Sequence, residues 1–301
     1  MTLVVGATGS LGTEICQRLA SAGKPFRAMV RRTSDQGKKD VLKQLGGELV
    51  EADLKDRASL NRACQGVTAV ISTPSAILSQ QSGDTFDTVD LHGQMHLVDA
   101  ARAAKVGHYV FVSVSGNLLK HGDNPLLAAK QAVENHLKQS GLTYTILRPT
   151  CFMEIWLSPP LGFDFANAKA TIYGSGQNKI SYISLHNVAD FAVESLSNPA
   201  ARNAVLELGG PEALTQLEVV QTFEKIAGRT LEKQFVPEEA LQARKSAANN
   251  PVEQTFADLT LVAARGDKID ISETFKKIRI RPRSVREYAE MVATNASKLD
   301  C

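Results

Sequence analysis

Residues 4–12 read Val-Val-Gly-Ala-Thr-Gly-Ser-Leu-Gly and continue the apolar run that begins at Leu3. Gly6, Gly9 and Gly12 therefore form a G-x-x-G-x-x-G pattern at the end of a short apolar segment. From Thr13 to Ala22 the spacing becomes helical, with Ile15, Leu19 and Ala22 on one face. A buried strand thus turns into a helix at the glycines, the context in which such a turn binds phosphate. Gly6 permits the sharp turn, Gly9 lets the backbone approach a pyrophosphate, and Gly12 lets the helix pack on the sheet. The helix N-terminus adds free N–H groups and partial positive charge. Thr8, Ser10 and Leu11 share this turn and join the glycines as candidate dinucleotide contacts.

Residues 26–30 read as the second strand and run into Arg31-Arg32. A site for NAD usually carries Asp or Glu at this strand end, to bind the ribose 2′-hydroxyl. Two guanidinium groups suit a 2′-phosphate instead, so NADP(H) is the expected cofactor.

Strand and helix patterns alternate through the first half. Strands are predicted at 3–5, 26–30, 48–51, 69–72, 109–113 and 143–147, with helices at 11–22, 37–45, 58–64, 88–104 and 127–140. The fold class is therefore α/β, a doubly wound parallel sheet with helices on both faces. Right-handed crossovers put all strand C-termini on one edge, where the ligand binds. Besides the glycine turn and Arg31-Arg32, that edge gathers Asp53-Leu54, Thr73-Pro74-Ser75, Ser113 to Gly116, and Pro149-Thr150-Cys151-Phe152. The second half is less regular. A strand at 180–184, a helix at 186–197 and a strand at 204–208 precede Gly209-Gly210-Pro211. Thr215-Gln216-Leu217-Glu218 matches a capping box, and helices follow near 238–248, 251–264 and 284–293. We expect a dinucleotide-binding domain over 1–150, completed by about 180–210. Residues 151–179 and 211–301 would form a smaller substrate lobe that closes the pocket.

The chain has 301 residues, 43% of them hydrophobic, enough for a full core in one large domain or one and a half. A net charge of +2 gives no argument for nucleic acid or an anionic membrane surface as partner. No apolar run is long enough to span a bilayer, and the glycine turn starts too early for a signal peptide ahead of it. Cys16, Cys64, Cys151 and Cys301 are scattered, without a C-x-x-C, which argues against metal and disulfide use and for the reducing cytoplasm.

The chain resembles the NmrA-like branch of the atypical short-chain dehydrogenases/reductases over nearly its whole length. The resemblance rests on the turn Gly6 to Gly12, on Val30-Arg31-Arg32, on Ala52-Asp53-Leu54, where Ala52 replaces the usual Gly, and on Phe111 to Gly116. Lys130 within residues 128–134 matches the family's helix lysine, and residues 144–154 resemble the segment beside the nicotinamide. The resemblance implies a contact near the adenine for Asp53 and a catalytic role for Ser115. For Lys130 it implies nicotinamide-ribose binding or proton supply. One position departs: the Tyr of Tyr-x-x-x-Lys is Leu126 here. Some members of this branch are active reductases and others only sense NADP. The resemblance thus implies an NADP(H)-dependent reductase of a carbonyl, quinone or conjugated enone, with a catalytically silent NADP(H) sensor bearing a protein partner, or an assembly factor, as the alternatives.

Other residues invite weaker readings. His92 and His96 have ligand spacing, but Gly93 fills the glutamate slot of H-E-x-x-H and no third ligand is evident, so a structural role is expected. Tyr173, Tyr182 and His186 are alternative proton donors, although His186 also reads as a helix start. Met153, Trp156, Leu157 and Phe163 either line a pocket for a hydrophobic or aromatic substrate or belong to the core. The cations between Phe275 and Arg286 read as a solvated face, or as a contact for an anionic partner.

Overall fold

The computed structural model describes residues 1–79 and 81–299. Its centre is a seven-stranded, all-parallel sheet. In chain order the strands are β1 (Thr2–Val5), β2 (Phe26–Val30), β3 (Glu48–Glu51), β4 (Ala69–Ser72), β5 (His108–Val112) and β6 (Tyr144–Pro149), with β7 (Phe163–Asp164), β8 (Lys169–Tyr173) and β9 (Lys179–Ile180) elsewhere, and β10 (Ala204–Leu208) completing the sheet. The spatial order is β10-β6-β5-β4-β1-β2-β3. Successive strands are added outward in opposite directions from β1 and β4, which makes that pair the switch point at which open α/β sheets bind ligands. β1, β4 and β5 are buried along their whole length, as their unbroken apolar runs require of strands covered on both faces.

One face is covered by α1 (Ser10–Ser21), α2 (Gln36–Gln44) and, later in the chain, a helix at Leu185–Ser195; Ile15, Leu19, Leu42 and Phe191 interlock there. The other face carries α3 (Arg57–Cys64), α4 (Gln94–Ala103) and, after the short α5 (Gly116–His121), α6 (Pro125–Gln139). Local chemistry sets several starts. Asp35 caps α2, Asp56 caps α3, and Asn124 with Pro125 at the first helical position opens α6. The helix expected at 88–104 is two pieces: a π-helical stretch, Phe86–Gly93, precedes α4. Gly93 sits at the junction because a Cβ there would stand 2.8 Å from the Leu54 side chain and 2.7 Å from the Thr88 carbonyl oxygen.

The remaining helices are α7 (Met153–Trp156), α8 (Leu185–Ser195), α9 (Gln216–Ala227), α10 (Glu238–Ala247), α11 (Pro251–Arg265), α12 (Ser272–Lys277) and α13 (Val285–Leu299). α9 begins with the expected capping box, both reciprocal bonds being present between Thr215 and Glu218. The strand expected at 180–184 shrinks to β9, which pairs with β11 (Leu214–Thr215); Ser184 instead caps α8 with its side chain. A three-stranded sheet of β7, β8 and β12 (Glu232–Val236) was not expected. β12 reads Glu-Lys-Gln-Phe-Val with much of it exposed, so it lacks the apolar pattern that reveals a strand. Phe163, Phe165, Phe223 and Tyr288 build the core of this lobe. Among the described residues no helix is long and apolar enough to cross a membrane.

Candidate functional site

The turn after β1 is closed upon itself and upon the next strand of the switch. Gly6 has φ +81°, which glycine adopts without strain. The Gly9 N–H donates to the Gly6 carbonyl at 3.0 Å, and Thr13 Oγ1 donates to the Ala7 carbonyl at 3.0 Å. Gly12 packs so closely that a Cβ would lie 2.1 Å from the Gly6 carbonyl oxygen, whereas a Cβ on Gly9 would meet only that oxygen, at 3.3 Å. Gly9 and Ser10 are exposed, and no side chain caps the first turn of α1 or places an acidic group in it. Its first N–H groups are therefore left without a side-chain partner. Thr73 seals the turn from the β4 side: its N–H and Oγ1 both donate to the Val5 carbonyl, at 3.2 and 3.1 Å. Pro74 lies over Gly6. Thr8 and Leu11 are half-buried, and Ser75 caps the short turn Ala76–Leu78.

At the β2 end Arg32 is exposed, while Arg31 pairs through Nη1 with Asp84 Oδ2 at 2.6 Å. Asp53 accepts from the Lys55 N–H at 2.9 Å, and Leu54 is buried under Gly93.

The other end of the edge is sealed. Lys130 is only 4% exposed. Its Nζ lies 3.6 Å from Asp90 Oδ1, 3.4 Å from the Val112 carbonyl oxygen and 5.1 Å from the Phe111 ring centroid. Burial pulls the Lys130 pKa below its ordinary value against the opposing pull of Asp90, and burial pushes Asp90 up against Lys130 and the Ala76 N–H. Asp90 sits on the π-helical stretch, a helix irregularity often found at functional positions. Leu126, four residues before Lys130, is buried in the core. Ser115 has no exposed surface. Its hydroxyl donates to Asp267 at 2.9–3.0 Å and accepts the Leu118 N–H at 3.2 Å, so it works as the cap of α5. Asp267 is raised by burial, with Ser115 and Asn117 opposing. Ser113 is buried beside Glu134, a carboxylate that burial would raise but that Arg148, Ser113 and Lys138 together hold below its ordinary value.

After β6, Pro149 ends the strand and the Thr150 hydroxyl donates to the Ser181 carbonyl. Phe152 bridges to Ile183, and burial pushes the Cys151 thiol well up. Cys16 and Cys64 are also buried and free, and Cys301 lies outside the described residues.

The alternative donors are engaged elsewhere. Tyr173 donates to the Leu161 carbonyl at 3.0 Å, Tyr182 is buried, and His186 Nδ1 pairs with Glu14 at 2.7 Å while opening α8. His92 pairs with Asp87 at 3.2 Å. Met153, Leu157 and Phe163 are core residues. With Trp156 beside them, Leu157 and Phe163 leave a cleft of about 20 Å³, room for roughly one water molecule and not for a substrate. A cavity of about 560 Å³ lies instead between Asn117 of α5, Asn178 and Lys179 at β9, and Asp258, Val262 and Arg265 of α11. None of the candidate cofactor contacts lines it. In the basic stretch, Lys276 pairs with Glu273 and Arg281 with Glu287. Sequence reasoning missed Asp84, Asp90 and Asp267. None of the three stands in a local pattern that marks it.

Sheet order, switch-point turn and uncapped helix together define a doubly wound fold of the dinucleotide-binding kind. The chain belongs to the NmrA-like family, whose sequence profile matches residues 1–289. Among its relatives, the photosystem II assembly factor Ycf39 of Trieres chinensis is 31% identical over 240 residues, covering 78% of this chain and 72% of the relative. The NAD(P)H azoreductase of Xenophilus azovorans is 28% identical over 307 residues, covering 99% and 98%. Among solved structures, the NADPH complex of an NADPH-dependent quinone oxidoreductase from Escherichia coli superposes with a TM-score of 0.77 at 24% identity, covering 97% of this chain and 99% of that one.

Proposed function

We propose that this protein is an NADP(H)-dependent reductase of small quinone, conjugated enone or carbonyl compounds. The observation that carries the reading is the turn Gly6 to Gly12, open at Gly9 and Ser10 beneath an uncapped α1, with the cations Arg31 and Arg32 at the neighbouring strand end. The residues present fit the dinucleotide. The N–H groups of Ser10 and Leu11 take the pyrophosphate, Gly9 leaves space for it, Arg31 and Arg32 take the 2′-phosphate, and Asp53 and Leu54 flank the adenine. Thr73 to Ser75 and Phe152, all half-buried, extend the site toward the nicotinamide, whereas Ser113, Pro149, Thr150 and Cys151, expected there as well, are buried. When bound, NADPH supplies hydride; the chain supplies orientation and exclusion of water. Residues 1–150 with 180–210 act as the cofactor domain, and 151–179 with 211–301 as the substrate lobe.

The sealed end restricts the acceptor. Leu126 cannot donate a proton, Ser115 is committed to Asp267, and Lys130 stands behind β5 with Asp90. An acceptor that carries the added charge itself, a quinone or enone, needs no such acid, whereas a simple ketone does. The test is NADPH oxidation against a panel of quinones, enones and unactivated ketones. Turnover with the first two and not the third is expected; turnover with simple ketones alone would contradict the reading.

A second reading is an NADP(H)-binding protein that performs no reduction and acts through protein contacts. Leu126 and the sealed Lys130 support it, as does the 31% identity with an assembly factor. Tight NADPH binding with no oxidation by any acceptor in the panel would select it.

A further inference from the structure

Arg31 is already paired with a carboxylate of the protein before any phosphate reaches it. Asp84 lies 53 positions further on, in the connection after β4. Its side chain is 1% exposed, and both its oxygens are used. Oδ2 accepts from Arg31 Nη1 at 2.6 Å and from the Ser79 hydroxyl; Oδ1 pairs with Lys55 Nζ. A second tie runs beside it, Thr33 Oγ1 to Gln81 Oε1 at 2.7 Å, and Lys55 Nζ also donates to the Ser82 carbonyl at 3.2 Å. The connection after β4 thus reaches across the ends of β2 and β3. One carboxylate lies between two cations at the place where a 2′-phosphate would be recognised. Burial alone would raise the Asp84 pKa, but Lys55, Ser79 and Arg31 outweigh it and hold the group below its ordinary value, so the charge persists at neutral pH.

We propose that Asp84 is an internal counter-ion of the 2′-phosphate subsite: it occupies Arg31 and so lowers the preference of this protein for NADPH over NADH. The inference rests on the cofactor reading above. A 2′-phosphate that reaches Arg31 comes to lie beside the Asp84 carboxylate, and two like charges at close range oppose one another. NADH lacks that phosphate and feels no such opposition. Asp84 therefore tunes specificity without being a contact of the nicotinamide or of any substrate.

The test is calorimetric titration of the unmodified protein and of Asp84→Asn with NADPH, NADH and adenosine 2′,5′-bisphosphate. Asp84→Asn should tighten NADPH and the bisphosphate at least fivefold and leave NADH within twofold. Adding Arg31→Ala to Asp84→Asn should abolish that gain, because Arg31, of the two cations paired with Asp84, is the one at the end of β2. Thermal melting without ligand verifies the fold, and Asp84→Ser, which keeps a hydroxyl for Arg31, serves as the second uncharged variant if Asn fails to fold. NADPH binding that is unchanged or weaker in the folded variants, or an equal gain for NADH, overturns the counter-ion role and leaves the cofactor reading standing. Failure of every form to bind any of the three ligands overturns both.

Discussion

The two ends of one sheet edge use their polar groups in opposite ways. At the end of β1, Gly9 and Ser10 are exposed and the first turn of α1 has no capping side chain. At the end of β5, Ser113, Ser115 and Lys130 are all at most 4% exposed, and each lies against a carboxylate of the protein itself. Polar groups left without an internal partner are the ones available to a ligand; at the β5 end Ser115 is hydrogen-bonded within the protein, whereas Ser113 Oγ and Asp90 Oδ1 are buried without a hydrogen-bond partner. The comparison explains why the same family resemblance carries cofactor binding to this chain more firmly than it carries an acid catalyst.

The sealed end should therefore answer to mutation through stability. Arg148 makes a two-bond contact with Glu134, at 2.9 and 2.6 Å, and also meets Glu207 at 3.2 Å. The Glu134 side chain is 1% exposed. Arg148→Met leaves a buried carboxylate with Lys138 as its one remaining cation and Ser113 beside it, and should cost about 3 kcal/mol in denaturant unfolding. A loss under about 1 kcal/mol would show that this network is no more than surface decoration.

Lys130→Met should have a smaller and pH-dependent effect, about 1–3 kcal/mol near neutral pH. Removing the ammonium leaves Asp90 buried, and burial already raises its pKa. A folded-state pKa above the unfolded value means that the native state binds the extra proton. The stability is then present below the unfolded carboxylate pKa and is lost as pH rises through the folded one. Melting profiles from mildly acidic to mildly alkaline pH should show the variant losing more stability on alkalinisation than the unmodified protein. Parallel profiles would mean that Asp90 and Lys130 are not coupled.

The same contrast governs what the sequence reveals. The glycine turn, the strands of the first half and the capping box at Thr215 depend on residues a few positions apart, so spacing alone discloses them. Gly12 could be assigned to close packing because strand, turn and helix are contiguous. The partners that hold the other polar groups of this edge are distant in the chain: Ser115 meets Asp267 across 152 positions, and Arg31 meets Asp84 across 53. No local pattern announces such pairs. Lys130 was legible as a special lysine only through family resemblance, and its burial with Asp90 only through the fold. The lobe sheet escaped because β12 is polar and exposed at its edge.

Dinucleotide binding by the turn after β1 is checked by calorimetric titration of NADPH into the unmodified protein and Gly9→Val. A Cβ at Gly9 meets only the Gly6 carbonyl oxygen, at 3.3 Å, so the variant should fold, while its branched side chain fills the space the pyrophosphate needs. The unmodified protein should bind NADPH saturably, and the variant should bind none while still melting cooperatively. Equal NADPH affinity in the two folded proteins would contradict it.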